Sequence, residues 1–208
     1  KFSPFSRTPN RVLEIIEDTL ENPIKIPNYI HRDTPFDDGF MKQVAPYNLK
    51  KHVSEYQNVD SVSIKRYFKN YNQVKRDWED TPFQYKKDIY LKTADLIENK
   101  YYHHMLAYTM VGQNKNIYEA EIDSICELVD FLRFNVSYAE NIMDKQPIQG
   151  DNIRNVSEYN SLNGFVAAIT PFNFTAIGGN LASAPLLFGN SVLWKPSHNS
   201  MLSNHLFY

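Results

Sequence analysis

Residues 162–197, LNGFVAAITPFNFTAIGGNLASAPLLFGNSVLWKPS, constrain the fold of this 208-residue chain more than any other stretch. Two short apolar runs, Phe165–Ile169 and Ser191–Lys195, have the composition of parallel strands covered on both faces. Residues 175–188 between them are long enough for a crossover helix, and the Gly-Asn pair that follows can end that helix. The sequence therefore predicts a strand, a helix and a parallel strand joined by a right-handed crossover.

Polar residues follow both predicted strands, at the edge where open parallel sheets bind ligands. Asn173 lies in a loop between aromatic residues and offers an uncharged amide donor. Such a donor can stabilise an oxyanion during acyl chemistry. Lys195 ends the second strand and offers a charged donor suited to a ribose hydroxyl or a phosphate. The spacing alone favours a simpler interpretation, in which Asn173 caps a helix and Lys195 is a solvated strand end.

The particular residues of this stretch point to a family. ITPFNFTAIGGNLASAPLLFGNSVLWKPS resembles the aldehyde dehydrogenase superfamily, whose members have a Pro-aromatic-Asn loop, a helix, a Gly-Asn turn and a strand ending in Lys-Pro-Ser. The form PFNFTAIGGNLA resembles one branch, the mitochondrial Δ1-pyrroline-5-carboxylate dehydrogenases, which oxidise glutamate γ-semialdehyde to glutamate with NAD. TMVGQNK, AEID and ELVDFLRFNVSYA, all within residues 109–139, match the same branch. The resemblance extends from about Trp78 to the end of the sequence.

The resemblance implies a role for each matching residue. Asn173 would stabilise the oxyanion of a thiohemiacetal, together with a backbone N–H of the nucleophile. Phe174 would form one wall around the aliphatic chain of the semialdehyde, and Glu127 would lie near the substrate entrance. Lys195 would bind the adenosine ribose of NAD. The other residues expected to line the NAD site are Ile169, Thr170, Pro171, Phe172 and Ser197.

The same resemblance implies that catalytic parts lie outside these residues. Aldehyde oxidation of this kind needs a thiolate nucleophile, a hydride acceptor and a carboxylate that activates water. In the family the Cys, the Glu and a second glycine-rich NAD loop follow the Lys-Pro-Ser strand, whereas Cys126 precedes it. We therefore expect the N-terminal portion of a longer dehydrogenase, inactive alone and marginally stable. The alternative is a truncated, non-catalytic isoform that binds nucleotide weakly or associates with full-length subunits.

Hydrophobic periodicity predicts mainly helices before this stretch. We expect helices over residues 9–22, 60–79, 83–97, 101–110 and 117–143, with Gly112 as a C-cap and residues 24–49 as loop with short edge strands. The apolar stripe of the second helix, which we expect to be core, is Ile64, Tyr67, Phe68, Tyr71, Val74 and Trp78. The stripe of the last helix, Ile125, Leu128, Leu132, Val136 and Ala139, should face the sheet.

The elements predict an α/β fold, and the resemblance implies that it is like that of aldehyde dehydrogenases, with an incomplete Rossmann-like core. We divide the chain into residues 1–59, an N-terminal helix and extended segment, and residues 60–145, the helices of the NAD-binding domain. The resemblance implies that residues 146–163, with a candidate strand at 156–159, form part of a β-ribbon that reaches a partner subunit. Residues 164–208 would begin the Rossmann-like core.

Composition narrows the possible partners. A net charge of −2 gives no reason to expect nucleic acid or an anionic membrane, and the longest apolar stretch is too short to span a bilayer. The adjacent His103 and His104 lack a metal-ligand spacing, and Cys126 is best interpreted as a small buried hydrophobe.

The resemblance implies a small-molecule substrate, a homodimer or higher oligomer, and the mitochondrial matrix. His198 replaces an acidic residue of many relatives, which leaves the choice between NAD and NADP open.

Overall fold

The computed structural model describes residues 9–29 and 39–208. The helices within these residues are α1 Pro9–Glu21, α2 Ser61–Glu79, α3 Phe83–Glu98, α4 Tyr102–Gln113, α5 Ile117–Glu121, α6 Leu128–Asp144, α7 Thr175–Ser183 and α8 Met201–Phe207. The strands are β1 Ile24–Ile26, β2 Phe40–Ala45, β3 Asn48–Gln57, β4 Phe165–Ile169 and β5 Ser191–Lys195. Among the described helices, none is both long and apolar enough to cross a membrane.

The predicted strand, helix and parallel strand are confirmed. Strands β4 and β5 pair in parallel, with Phe165 opposite Ser191 and Ile169 opposite Lys195. Helix α7 continues as a 3-10 turn, Ala184–Phe188, which ends at Gly189 in the left-handed conformation with φ 76°. Glycine suits this position because it has no Cβ to clash at positive φ.

The expectation that both strands are covered on both faces is wrong. Ala168 is buried in β4, but Ile169 is 72% exposed and Phe165 36% exposed. Within the described residues the β4–β5 pair has no third strand. The apolar composition of β4 and β5 correctly predicts two parallel strands. It does not show whether the residues that would cover their faces belong to this part of the chain.

A second sheet lies in the N-terminal region, in the order β1-β3-β2. Strand β3 is parallel to β1 and antiparallel to β2, and it has ten residues. Strands β1 and β2, of three and six residues, are the two edges of this sheet, so the expectation of short edge strands over residues 24–49 is confirmed for the described part, which excludes residues 30–38. The central strand β3 was not predicted. The first half of β3 is polar and exposed, so its sequence lacks the alternation that indicates a strand.

The core is mainly helical. The stripe predicted for the last helix is buried throughout, from Ile125 to Ala139. However, α6 packs mainly against α3 and α7, and the helix that packs on β5 is α7, where we had expected α6. A further difference is a π-helical turn, Ile122–Glu127, that joins α5 to α6.

The apolar stripe of α2 is less buried than its periodicity suggests. The helix itself is confirmed, and the Asp60 side chain caps it by accepting a hydrogen bond from the N–H of Ser63. Tyr71 is buried and its hydroxyl donates to the carbonyl of Gly164, at the start of β4. Ile64, Phe68 and Val74 are exposed. Periodicity indicates an apolar face, but it does not show what covers that face.

Gly112 does not cap α4, because the helix continues to Gln113 and Asn114 takes the left-handed conformation with φ 56°. Gly112 instead allows a close approach, since a Cβ there would lie 2.7 Å from Nε2 of Gln43. No strand within the described residues pairs with residues 156–159. Residues 146–163 form only one isolated bridge, between Gly150 and Ile153. Whether this segment forms a ribbon with another subunit stays a prediction.

Gln43 connects three distant parts of the chain. Its side chain is 2% exposed, and its Nε2 donates to the carbonyls of Asn199 at 2.9 Å and Gly112 at 3.4 Å. Its Oε1 accepts from the N–H of Leu202 at 2.8 Å and from Oγ of Ser54 at 3.2 Å. One side chain thus joins β2 and β3 to the end of α4 and to the first turn of α8.

We expect Gln43→Leu to destabilise the complete protein by about 3 kcal/mol, because leucine fills a similar volume but leaves several buried polar groups unpaired. The measurement is the thermal unfolding midpoint by differential scanning calorimetry. Gln84→Leu, at an exposed position of α3, is the matched control and should leave the midpoint nearly unchanged. Equal midpoints for both variants would contradict the role given to Gln43.

Candidate active site

The loop of residues 170–174 joins β4 to α7 and is held firmly at its first residues. The N–H of Thr170 donates to the carbonyl of Lys195 at 3.2 Å, which extends the pairing of β4 with β5. Nε1 of Trp194 donates to Oγ1 of Thr170 at 3.1 Å, and Oγ of Ser200 donates to the carbonyl of Pro171 at 3.4 Å. These bonds tie the first half of the loop to β5 and to the turn before α8.

The second half of the loop is held by Asp123. Its carboxylate is buried and accepts two backbone N–H groups at the start of α7, from Thr175 at 3.0 Å and from Ala176 at 2.8 Å. Nζ of Lys115 lies 2.6 Å from the same carboxylate. The first N–H groups of a helix have no partners within the helix and carry partial positive charge, so a carboxylate there is favourable.

Thr175 adds a second attachment at the start of α7. Its Oγ1 accepts from Nε2 of Gln113 at 2.8 Å and donates to Oγ of Ser203 at 2.8 Å. Oγ1 of Thr109 is 3.3 Å away. Thr109, Thr175 and Ser203 are all buried, so α4, α7 and α8 meet in one polar cluster directly beside the loop.

Asn173 lies between two anchors, which are the bonds at Thr170 and Pro171 before it and the bonds to Asp123 after it. Its side chain is exposed. Across the described residues, no group makes a hydrogen bond with that side chain, so its amide N–H groups are available to a ligand. The neighbouring Phe172 is 58% exposed. The loop therefore presents a neutral donor from a backbone that is fixed on both sides, which is the arrangement required to stabilise a developing negative charge.

Phe174 and Glu127 belong to the same cluster as Asp123. Nζ of Lys115 lies 4.1 Å from the centre of the Phe174 ring, within the range of a cation–π interaction. Burial raises the pKa of Glu127, and the charge of Asp123 raises this pKa further while Lys115 lowers it. Phe174 thus contacts Lys115, and Glu127 lies within electrostatic range of both Asp123 and Lys115.

The predicted NAD-contacting residues lie at the carboxyl ends of β4 and β5. Lys195 is exposed, and its Nζ lies 3.4 Å from the carbonyl of Pro196. Ile169 is 72% exposed at the end of the neighbouring strand. Ser197 is engaged locally, since its Oγ accepts from the N–H of Asn199 at 3.4 Å. An exposed ammonium beside an apolar surface fits the ribose and the rings of a dinucleotide.

Other candidate groups lack the features of a site. Burial raises the pKa of the Cys126 thiol, and the carboxylate of Glu121 raises it further. This thiol is therefore a poor nucleophile at neutral pH. In residues 9–29 and 39–208, no group of three or more His, Cys, Asp or Glu side chains is arranged to hold a metal ion.

Sequence reasoning missed Asp123, Lys115 and Thr175 as parts of the site. Asp123 and Lys115 lie in segments that resemble the family, but no spacing rule connects them to a loop about fifty residues later. The one sequence feature that could have pointed to Asp123 is that it is a carboxylate in a mostly apolar helical stretch. Such a residue is rarely buried unless its charge is paired.

Comparison with known proteins identifies the family of the chain. Residues 34–208 match the aldehyde dehydrogenase family. The chain is 43% identical over 189 residues to a probable delta-1-pyrroline-5-carboxylate dehydrogenase of Schizosaccharomyces pombe, covering 90% of this chain and 34% of that protein. It is 43% identical over 166 residues to the mitochondrial delta-1-pyrroline-5-carboxylate dehydrogenase of Homo sapiens, covering 80% of this chain and 30% of that protein.

A solved structure gives the same result for the fold. The Delta-pyrroline-5-carboxylate dehydrogenase of Mycobacterium tuberculosis, bound with NAD, superimposes with a TM-score of 0.92 at 36% identity, covering 99% of this chain and 39% of that chain. The chain thus spans about a third of the length of the curated relatives it matches. The expected α/β fold of aldehyde dehydrogenase type is confirmed. On its sequence and on its fold, this chain belongs to the aldehyde dehydrogenase family.

Proposed function

We propose that these residues are part of a longer enzyme that oxidises L-glutamate γ-semialdehyde to L-glutamate with NAD in proline catabolism. The observation that carries the proposal is the Asn173 amide, which is exposed and held between two anchors, at the edge where β4 and β5 end. The names of the relatives support the substrate, and the NAD-bound structure of one of them supports the cofactor.

In this proposal Asn173 acts on the aldehyde oxygen. Attack on the carbonyl carbon moves negative charge to that oxygen, and a fixed amide N–H can donate a hydrogen bond to it as the charge develops. Phe174, held against Lys115, would form an apolar wall for the methylene groups of the substrate. Glu127, whose pKa is raised by burial, would lie near the path by which the substrate enters.

The carboxyl edge of β4 and β5 would hold the cofactor. Lys195 would donate to the hydroxyls of the adenosine ribose, and Ile169, Thr170, Pro171, Phe172 and Ser197 would line the rest of the site. When bound, NAD supplies the hydride acceptor. Exposed Ile169 and Phe172 would lose contact with water on binding, which favours association.

The thiolate nucleophile and the general base would come from the part of the enzyme outside these residues. We therefore propose that the 208 residues alone are inactive. We also propose the mitochondrial matrix as the location, supported by relatives named mitochondrial, and a homodimer or higher oligomer with residues 146–163 at the subunit contact. Residues 60–145 and 164–208 would together form the NAD-binding domain.

The test is NAD-dependent oxidation of glutamate γ-semialdehyde by the protein from the complete reading frame, with Lys195→Met beside the wild type. We expect turnover by the wild type and a KM for NAD about tenfold higher in the variant, because methionine keeps the side-chain length but cannot donate to a hydroxyl. Lys92→Met, exposed on α3, is the matched control. No turnover by the wild type would refute the function and leave the truncated isoform as the better interpretation.

A further inference from the structure

We infer that Asp123 is a positioning residue, which fixes the Asn173 amide by holding the start of α7 from a buried site. The inference rests on the proposed function, because it concerns how the oxyanion donor of that reaction is kept in place. The inference goes beyond the proposed function because it assigns a role to a carboxylate that would not itself touch substrate or cofactor.

The first observation is the extent to which Asp123 is committed to α7. Its side chain is fully buried, and both of its oxygens accept backbone N–H groups, from Thr175 and Ala176. A buried charge is costly unless it is paired, and Lys115 provides the pairing at 2.6 Å. This carboxylate therefore has a single well-defined geometry, in which it determines where the backbone leaves Asn173.

The second observation is the shape of the helix that carries Asp123. Asp123 is the second residue of the π-helical turn Ile122–Glu127, between regular α-helical segments on both sides. An extra residue in a helical turn changes the direction of the side chains that follow, and such turns occur often at functional sites. Here the turn places Asp123, Ser124 and Ile125 in the interior together, with the carboxylate facing the start of α7.

The third observation is that the ion pair of Asp123 and Lys115 holds the two residues that follow Asn173. Asp123 binds the N–H of Thr175, while Lys115, paired with Asp123, lies over the ring of Phe174. The opposite side of the loop is fixed independently by Trp194 and Ser200. Loss of the Asp123 charge would release only one of the two anchors, so the loop should remain folded while the amide loses its fixed direction.

The experiment is a double-mutant cycle in the complete enzyme, with Asp123→Asn, Asn173→Ala and the combination. The amide introduced by Asp123→Asn can accept one N–H, but its own NH₂ group would face the other, so one bond and the charge are lost. We expect Asp123→Asn to lower kcat about tenfold with the KM for NAD nearly unchanged, since small displacements of a catalytic group have effects of this size. Asp130→Asn, exposed on α6, is the control and should keep wild-type kcat.

The cycle separates positioning from a general structural role. If Asp123 acts through Asn173, adding Asp123→Asn to Asn173→Ala should not lower kcat further, although it should lower the unfolding midpoint equally in both backgrounds. An equal fall of kcat in both backgrounds, or no fall in the wild type, would overturn the inference. If Asp123→Asn does not fold, Lys115→Met is used in the same cycle with the same criterion. An inactive wild type would refute the proposed function itself, and the inference with it.

Discussion

Replacing Asn173 by alanine is expected to lower kcat of the complete enzyme by roughly 10²–10³-fold, the cost of removing one oxyanion donor, or about 3 kcal/mol of barrier. The effect should fall on kcat and on kcat/KM together, because the hydrogen bond strengthens only as charge develops on the aldehyde oxygen. The measurement is steady-state NADH formation from glutamate γ-semialdehyde at saturating NAD. The KM for NAD should change little, since the Asn173 side chain is assigned to the oxyanion and not to the cofactor.

Two further variants make this test specific. Asn173→Asp keeps the size of the side chain but replaces the donor with a carboxylate, which repels an oxyanion, so its kcat should be no higher than that of the alanine variant. Asn141→Ala removes an exposed amide from α6 and should keep wild-type kcat. A folded Asn173→Ala variant whose kcat lies within threefold of the wild type would refute the oxyanion role.

The part of the site that could be predicted from the sequence is the part built from local signals. The apolar runs at β4 and β5, the length of the connection between them and the Gly189 turn all lie within forty residues of one another. These features determined the crossover and placed Asn173 and Lys195 at one edge. The family resemblance then supplied their roles, which the spacing alone had left open.

The part that could not be predicted depends on contacts between distant residues. Asp123 meets Thr175 across 52 positions, and Gln43 meets the N–H of Leu202 across 159. Neither Asp123 nor Gln43 belongs to a hydrophobic repeat or a capping motif from which its partner could be predicted. Burial was overestimated for the same reason, since the stripe of α2 and the face of β4 show which residues are apolar but not which element covers them.

A protein of only these 208 residues is expected to give no NAD-dependent oxidation of glutamate γ-semialdehyde. The reaction needs a thiolate, and Cys126 is the single cysteine. Burial and the nearby carboxylate of Glu121 raise the pKa of this thiol above its usual value, so at neutral pH it stays protonated, and only rising pH would ionise it. The measurement is NADH formation by the 208-residue protein and by the complete enzyme at equal molar concentration.

Cys126→Ser tests whether the Cys126 thiol takes part in the reaction. In the complete enzyme this variant should keep kcat within about threefold of the wild type, because the thiol lies in the π-helical turn and would have no part in the chemistry. Turnover by the 208 residues that disappears in Cys126→Ser would make Cys126 the nucleophile. In that case Asn173 would have its catalytic partner within this stretch of chain, and the division of the site between these residues and the remainder of the enzyme would be wrong.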